Sequence, residues 1–165
     1  MHILKTKLKD LLIIKSEIFN DKRGFFKEIN QKKILNKNLI FDCLSHSKKN
    51  TIRGLHFQRN NPQGKFITVV HGEILDVAVD LRKNSKTFGK HFSIRMKDDS
   101  DFSIYIPENF AHGFLVLSAS AQVSYKTSNF YDAKSEKTIL WNDEKIGIDW
   151  PINTKPVLSE KDDFK

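Results

Sequence analysis

Short stretches in which apolar and polar side chains alternate make up much of the chain. In residues 75–81 the larger apolar side chains fall on odd positions, and Asp76 and Asp80 share the opposite face. A period of two residues is that of a β-strand, whose successive side chains point to opposite faces of a sheet. The same pattern predicts strands at residues 92–96, 104–106, 114–117 and 123–127.

Turn-forming residues separate the predicted strands, at residues 71–73, 83–85, 107–109 and 118–120. Helical periodicity is weak, and it predicts only a helix over residues 31–39 and a short one over residues 133–137. Closely spaced strands with few helices favour an all-β fold, as an antiparallel sandwich or barrel. Neither repeats nor linkers interrupt the sequence, so we expect one domain over residues 1–165.

The sequence has a formal charge of +8 and a single cysteine, Cys43. Both features bear on which partners the protein binds and on where in the cell it is found. The lysines are scattered, without an arginine-rich arm or an aromatic RNA-binding motif, so nucleic acid is not an expected partner. The charge fits either a solvated surface or a phosphorylated small substrate. One cysteine forms no internal disulfide, and no apolar run approaches the ~20 residues that span a bilayer. We therefore expect a cytoplasmic protein without a membrane partner.

Two histidines and two tyrosines are candidates for proton transfer. His56 lies in a strand-like segment, residues 52–58, and its imidazole titrates near neutral pH. A histidine on a strand can equally be structural. His112 precedes a glycine, where it either belongs to a turn or faces the mouth of a barrel. Tyr125 and Tyr131 are either packed aromatics or, where neighbours tune the phenol, proton donors.

Neither a metal site nor a phosphate-binding loop is recognisable. The six histidines form no HxH pair and no HExxH motif, so no metal is expected. A glycine-rich phosphate loop is also missing. Residues 19–28 form either a hairpin with two core phenylalanines or a ligand contact. In the second case Arg23 binds a phosphate, and Phe19 or Phe26 stacks on a base.

Seven segments spread over nearly the whole chain match a known enzyme family. They are FNDKRGFFKE (19–28), IRGLHFQ (52–58), GKFITVVHGEILDVAVDLRKNSKTFGK (64–90), IPENFAHGFLVLS (106–118), YKTSNFYDAKSE (125–136), GIDWP (147–151) and LSEKD (158–162). Together and in this order they resemble the dTDP-4-dehydrorhamnose 3,5-epimerases. The resemblance implies a double-stranded β-helix, the cupin jelly roll, with a few short helices. It also implies a homodimer with exchanged N-terminal strands and a reaction that needs no cofactor.

The resemblance assigns roles to the residues that match the family motifs. It implies that His56 is the general base and that Asp162 pairs with it. Tyr125 is the implied proton donor on the opposite face of the sugar, and Lys65 is implied beside the keto oxygen. The other implied substrate contacts are Arg23, Glu28, Arg53, His112, Glu136 and Lys161, with Phe19 and Tyr131 as contacts to the base.

These residue types suit the chemistry that the resemblance implies. A C–H next to a ketone is acidic because its conjugate base is an enolate, so its removal needs a base and a cation at the oxygen. Inversion needs a proton delivered from the other face. The implied reaction is epimerisation at C3, at C5 or at both in a nucleoside-diphosphate 4-keto-6-deoxy sugar, in deoxysugar biosynthesis for surface polysaccharide.

The stretch before the RGLH motif departs from the family pattern, which usually reads Gln-Asp-Asn-His-Ser. Phe41 and Cys43 replace the two amides, while Asp42 is retained as a substrate contact. The loss of hydrogen-bonding amides changes which substrate fits. The alternatives are a GDP-linked 4-keto-6-deoxy-heptose, inversion at C3 only, and a sugar 3,4-ketoisomerase. A noncatalytic sugar-nucleotide binding protein is the alternative from another class.

Overall fold

Antiparallel strands dominate the computed structural model, which describes residues 1–163, and the all-β prediction is confirmed. The described part contains thirteen strands and one short helix, α1 (Lys32–Leu35). The strands are β1 (His2–Lys5), β2 (Leu12–Lys15), β3 (Ile18–Asp21), β4 (Gly24–Lys27), β5 (Phe41–Lys48), β6 (Ile52–Gln58), β7 (Lys65–His71), β8 (Glu73–Asp80), β9 (His91–Lys97), β10 (Phe102–Ile106), β11 (Phe110–Val116), β12 (Ser120–Thr127) and β13 (Glu136–Thr138).

The strands form two large sheets and one hairpin. The six-stranded sheet has the order β1-β2-β10-β7-β12-β5, and the five-stranded sheet has the order β13-β6-β11-β8-β9. β3 and β4 pair only with each other. The pairs of named strands are antiparallel throughout. Neighbours in each sheet are mostly distant in sequence, so non-local pairing builds both sheets.

The main apolar core lies between the two large sheets. Ile67 and Val123 contribute to it from the six-stranded sheet, and Met96 and Phe114 contribute from the five-stranded sheet. All four side chains are almost completely buried. The burial of these apolar surfaces holds the sheets face to face.

A second apolar core covers the outer face of the five-stranded sheet. The odd-numbered apolar residues of β8, among them Val77 and Val79, face this core together with Trp150 of the segment that follows β13. The even-numbered face of β8 therefore points into the space between the sheets. Asp76 is placed there, fully buried.

Both predicted helices need correction. The predicted helix over 31–39 is only one turn, α1, which ends at Leu35 and is capped by Asn36, whose backbone is left-handed with φ of 46°. The predicted helix over 133–137 is wrong, since a turn is followed there by β13, which pairs with β6. The edge of β6 offers backbone hydrogen bonds that outweigh the local helical preference.

In residues 1–163 the helical structure amounts to four residues, and none of it is long and apolar enough to cross a membrane.

Candidate active site

A cavity of about 770 Å³ lies between the two large sheets. Side chains of β5, β7 and β12 line one wall, and side chains of β6 and β11 line the other. The segment over 157–162 closes part of the rim. The cavity brings together the four residues predicted to be catalytic, which are His56, Lys65, Tyr125 and Asp162.

His56 and Asp162 form a tight pair although 106 residues separate them. His56 Nε2 lies 2.5 Å from Asp162 Oδ1, and Ser159 Oγ donates a hydrogen bond of 2.8 Å to Asp162 Oδ2. Burial of Asp162 opposes its charge, but the hydrogen bonds from His56 and Ser159 outweigh burial and hold the pKa of this carboxyl below its usual value. An ionised Asp162 accepts a hydrogen bond from Nε2–H of the neutral imidazole, which orients the ring and leaves Nδ1 of His56 available to accept a proton.

A local irregularity places Arg53 and His56 in the same cavity. The two are three residues apart on β6, where strict alternation would put them on opposite faces. The pairing of β6 with β11 shifts register between His112 and Phe114. A Cβ at Gly54 would lie only 2.5 Å from the carbonyl oxygen of His112, and Gly54 has a φ of 114°. The glycine of the RGLH motif is thus required for this close approach of the strands.

A second histidine–carboxylate pair lies beside the first. His112 is the cross-strand neighbour of His56. Its Nε2 lies 2.7 Å from Oδ2 of Asp76, and both side chains are buried. Asp76 was not among the site residues predicted from the sequence. In the sequence, the one indication of a role for Asp76 was its position on the polar face of an otherwise apolar strand.

Tyr125 projects from β12, on the wall opposite His56. Its hydroxyl lies 3.3 Å from Ser45 Oγ on β5. Burial raises the pKa of the Tyr125 phenol well above its ordinary value. The side chain is therefore neutral at physiological pH and suits a proton donor better than a base. The ring of His112 packs edge-on against that of Tyr125, with centroids 6.2 Å apart.

Lys65 supplies a positive charge inside the cavity. Its Nζ lies 3.5 Å from the backbone oxygen of His56. Desolvation lowers the pKa of Lys65 to about 8, although the nearby Glu136 and Asp76 carboxylates favour the charged form. The ammonium thus predominates at neutral pH, where it can stabilise negative charge on an oxygen of a ligand.

Five of the predicted substrate contacts line the cavity, namely Arg53, His112, Tyr131, Glu136 and Lys161. Oε2 of Glu136 accepts hydrogen bonds from Lys161 Nζ at 2.7 Å and from the Tyr131 hydroxyl at 3.0 Å. Arg53 donates to Ser47 Oγ at 2.8 Å. These contacts preorganise a polar rim with more positive than negative charge.

The other predicted contacts do not reach the cavity of their own chain. Phe19, Arg23 and Phe26 are exposed on the β3–β4 hairpin, and Glu28 follows it. Arg23 pairs there with Asp21, with its Nη2 2.6 Å from Oδ2.

Asp42 also lies outside the cavity, in contrast to its two neighbours. Phe41 and Cys43 line the wall, whereas Asp42 is exposed and pairs with Lys126, whose Nζ is 2.5 Å away. Alternation along β5 explains why a polar residue between two cavity residues points away. The Phe41 ring packs against that of Phe130, with centroids 5.8 Å apart.

The part of the chain from 1 to 163 contains no group of three His, Cys, Asp or Glu side chains arranged to hold a metal ion.

Comparisons with known proteins agree with this site and fold. The family model of dTDP-4-dehydrorhamnose 3,5-epimerase matches residues 5–165. The Salmonella typhimurium protein of that name is 47% identical, over 98% of this chain and 92% of its own length.

Two solved structures are similar over nearly the whole chain. The dTDP-6-deoxy-D-glucose-3,5-epimerase of Legionella pneumophila, in complex with dTDP-4-keto-L-rhamnose, has a TM-score of 0.93 and 40% identity, over 98% of this chain and 89% of that one. A 3'-monoepimerase of Streptomyces bikiniensis, in complex with dTDP-quinovose, has a TM-score of 0.87 and 27% identity, over 98% of this chain and 84% of that one.

The likeness to solved epimerases confirms the predicted cupin jelly roll. Two facing antiparallel sheets, a polar cavity between them and a full-length sequence match all point to one group of isomerases. The chain belongs to the dTDP-4-dehydrorhamnose 3,5-epimerase family.

Proposed function

We propose that this protein epimerises C3 and C5 of a nucleoside-diphosphate 4-keto-6-deoxy sugar, in deoxysugar biosynthesis. One observation carries the proposal. A histidine–carboxylate pair and a neutral phenol stand on opposite walls of one cavity, with a half-buried ammonium near the histidine. Enolisation beside a ketone needs these three kinds of group.

In the first step, Nδ1 of His56 accepts the proton from the carbon next to the C4 ketone. The electron pair of the broken C–H bond moves into the enolate, and its negative charge develops on the C4 oxygen. The Lys65 ammonium stabilises that oxygen. Asp162 stabilises the imidazolium that forms, because the ionised carboxylate is held 2.5 Å from Nε2.

In the second step, the Tyr125 hydroxyl donates its proton to the same carbon from the opposite face. The enolate collapses to the ketone with inverted configuration. Tyr125 then regains a proton from solvent, and His56 loses one to solvent. The ketone at C4 acidifies both C3 and C5, so one set of groups serves both centres when the sugar is placed suitably.

The charge of the rim supports a diphosphate. Lys48, Arg53, Lys65 and Lys161 line the cavity, against two carboxylates, Glu136 and Asp162. We assign Arg53 and Lys161 to the phosphates, since arginine and lysine bind phosphate oxygens through charge-assisted hydrogen bonds. The exposed Tyr131 offers a ring for the base.

A homodimer completes the proposed site. Phe19, Phe25 and Phe26 are each at least half exposed on the β3–β4 hairpin, which pairs with no other strand in the described residues. Exposed aromatic clusters of this kind mark interaction surfaces. In the proposed dimer the hairpin of one subunit reaches the cavity of the other and brings Phe19, Arg23 and Glu28 to the substrate.

Inversion at C3 alone is the second candidate, because the chain is also similar to a 3'-monoepimerase. Phe41 and Cys43 replace the amides of the family pattern at the cavity wall. The substrate can therefore carry a different sugar or nucleotide, and a GDP-linked heptose is one alternative. A 3,4-ketoisomerase and a noncatalytic binding protein have no specific observation in their favour. Independence of metals and a cytoplasmic location remain predictions.

Proton NMR in D₂O tests the proposal. dTDP- and GDP-linked 4-keto-6-deoxy sugars are incubated with the protein in the presence of EDTA. We expect deuterium to replace hydrogen at C3 and C5 with formation of the epimer. Exchange at C3 alone would identify the second candidate. Movement of the keto group without inversion would favour the ketoisomerase, and binding without exchange would contradict an enzymatic function.

A further inference from the structure

A second cavity, also of about 770 Å³, lies on the other face of the strands that carry the active site. Four apolar side chains contribute to its lining, namely Phe57, Leu81, Phe88 and Ile139. We call this cavity the back groove. Its volume falls within the range of small-molecule sites.

The back groove is separated from the catalytic cavity by a single layer of β-sheet. On β6, His56 faces the catalytic cavity and Phe57 faces the groove. On β13, which pairs with β6, Glu136 faces the cavity and Lys137 faces the groove. Alternation of side chains along each strand produces this two-sided arrangement.

A loop with many internal hydrogen bonds holds Phe88 at the groove. Phe88 is 54% exposed, so its ring is open to contact with a ligand. The loop that carries it is organised around the buried Asp80 carboxylate, which accepts hydrogen bonds from the side chains of Arg82, Ser85 and Thr87 at 2.6–2.9 Å. Gly89, whose φ is 74°, donates its backbone N–H to the Asp80 carbonyl oxygen at 2.8 Å. The exposed ring is therefore preorganised and does not belong to a loose loop.

The rim of the back groove is strongly cationic. Arg59, Lys83 and Lys137 are exposed there, and none of the three forms an ion pair within residues 1–163. A fourth cation, Arg82, is neutralised by Asp80 and Asp10. The lining contains no acidic side chain. A ligand that matches this rim carries several negative charges.

We propose that the back groove is a second ligand site that binds a nucleotide. The base packs against the rings of Phe57 and Phe88, and the phosphates bind the cations Arg59, Lys83 and Lys137. An aromatic ring joined to a short chain of phosphates matches both halves of the groove, since bases stack on aromatic side chains and phosphates bind Arg and Lys. Occupancy of this site would contact the residues directly next to His56 and Glu136.

Amide NMR of the full-length labelled protein tests the proposal with dTDP as the probe. We expect two separate groups of shifted resonances, one from the catalytic cavity and one from residues 57–59, 81–88 and 137–139. Lys137→Glu is expected to weaken binding at the second group about tenfold or more, because it places a negative charge beside the phosphates. Lys134→Glu is the matched control, since this exposed lysine does not line the groove.

Two further measurements test the base and the phosphates separately. Phe88→Ala is expected to weaken dTDP at the second group about fivefold or more, because base stacking contributes strongly to such sites. Pyrophosphate alone is expected to bind there at least tenfold more weakly than dTDP. Absence of the second group of shifts, or equal effects of Lys137→Glu and Lys134→Glu, would overturn the proposed site. Equal binding of pyrophosphate and dTDP would overturn its assignment to a nucleotide.

Discussion

His56 and Tyr125 reach the same cavity from opposite sheets, His56 from β6 of the five-stranded sheet and Tyr125 from β12 of the six-stranded sheet. A sugar ring between them would present one face to a base and the other to an acid. This arrangement favours inversion over simple exchange, because the proton leaves from one side and returns from the other.

Tyr125→Phe should separate proton removal from inversion. The variant keeps the ring and loses the acidic hydroxyl, so His56 can still form the enolate while delivery of a proton to the other face fails. We expect deuterium from D₂O to appear at C3 or C5 while epimer formation falls by about 10²-fold or more. Proton NMR measures both in one sample.

Tyr105→Phe is the control for that experiment. It removes the same atom from a buried tyrosine outside the cavity, so turnover should be unchanged. Normal epimer formation by Tyr125→Phe would remove this phenol from the mechanism.

Asp162→Asn should reduce turnover without unfolding the protein. The amide keeps the size of the side chain but provides no negative charge to stabilise the imidazolium of His56, which lies 2.5 Å away. We expect kcat to fall by about 10²–10⁴-fold, the usual contribution of general acid–base catalysis, with a smaller change in KM. Steady-state kinetics and a thermal melt followed by circular dichroism would check this together. A kcat within a few-fold of the wild-type value would contradict the role of Asp162.

Lys65 should impose an alkaline limit on the reaction. Burial lowers the pKa of Lys65 to about 8, so its ammonium loses its proton as the pH rises through that value. The charge that stabilises the enolate is present below pH 8 and lost above it. We therefore expect kcat/KM, which reports the groups of the free enzyme, to decline with an apparent pKa near 8.

Lys65→Arg tests that assignment, since a guanidinium stays protonated throughout this range. In this variant the alkaline decline should disappear or move to much higher pH, whatever the absolute rate. A decline that stays near pH 8 would assign the limit to another group. The measurement is the pH profile of kcat/KM for both proteins.

The sequence predicts which residues meet in the candidate site better than it predicts their surroundings. His56 and Asp162 come from motifs that are far apart in the chain, and the fold brings them into contact. The resemblance to the family predicted that His56 and Asp162 pair, whereas the hydrophobic periodicity of the sequence could not have predicted it. Asp76 was missed because alternation shows only that it shares a polar face, not that His112 lies 2.7 Å away on the neighbouring strand.

Local patterns failed where tertiary pairing decides the structure. Residues 133–137 have a helical composition, but part of this segment pairs with β6 as β13. Asp42 was predicted to contact the substrate because it is retained from the family pattern, but alternation along β5 turns it outward to Lys126. For β13 the neighbouring strand β6 determines the outcome, and a single sequence contains no direct signal for that pairing.

Subunit complementation should reveal whether the β3–β4 hairpin acts on the partner's cavity. Arg23→Ala and His56→Ala are each expected to be nearly inactive as homodimers. In a mixed dimer, the site with an intact His56 receives its hairpin from the His56→Ala subunit, which has an intact Arg23. One of the two sites in that dimer is then complete.

Random mixing of the two variants should therefore restore about a quarter of the wild-type activity, because half of the dimers are mixed and each has one complete site. The variants are co-expressed or refolded together, and activity is compared with that of each variant alone. If the hairpin served its own subunit, every site in the mixture would lack either Arg23 or His56 and no activity would return. Sedimentation velocity of each variant would separate this outcome from a failure to form dimers.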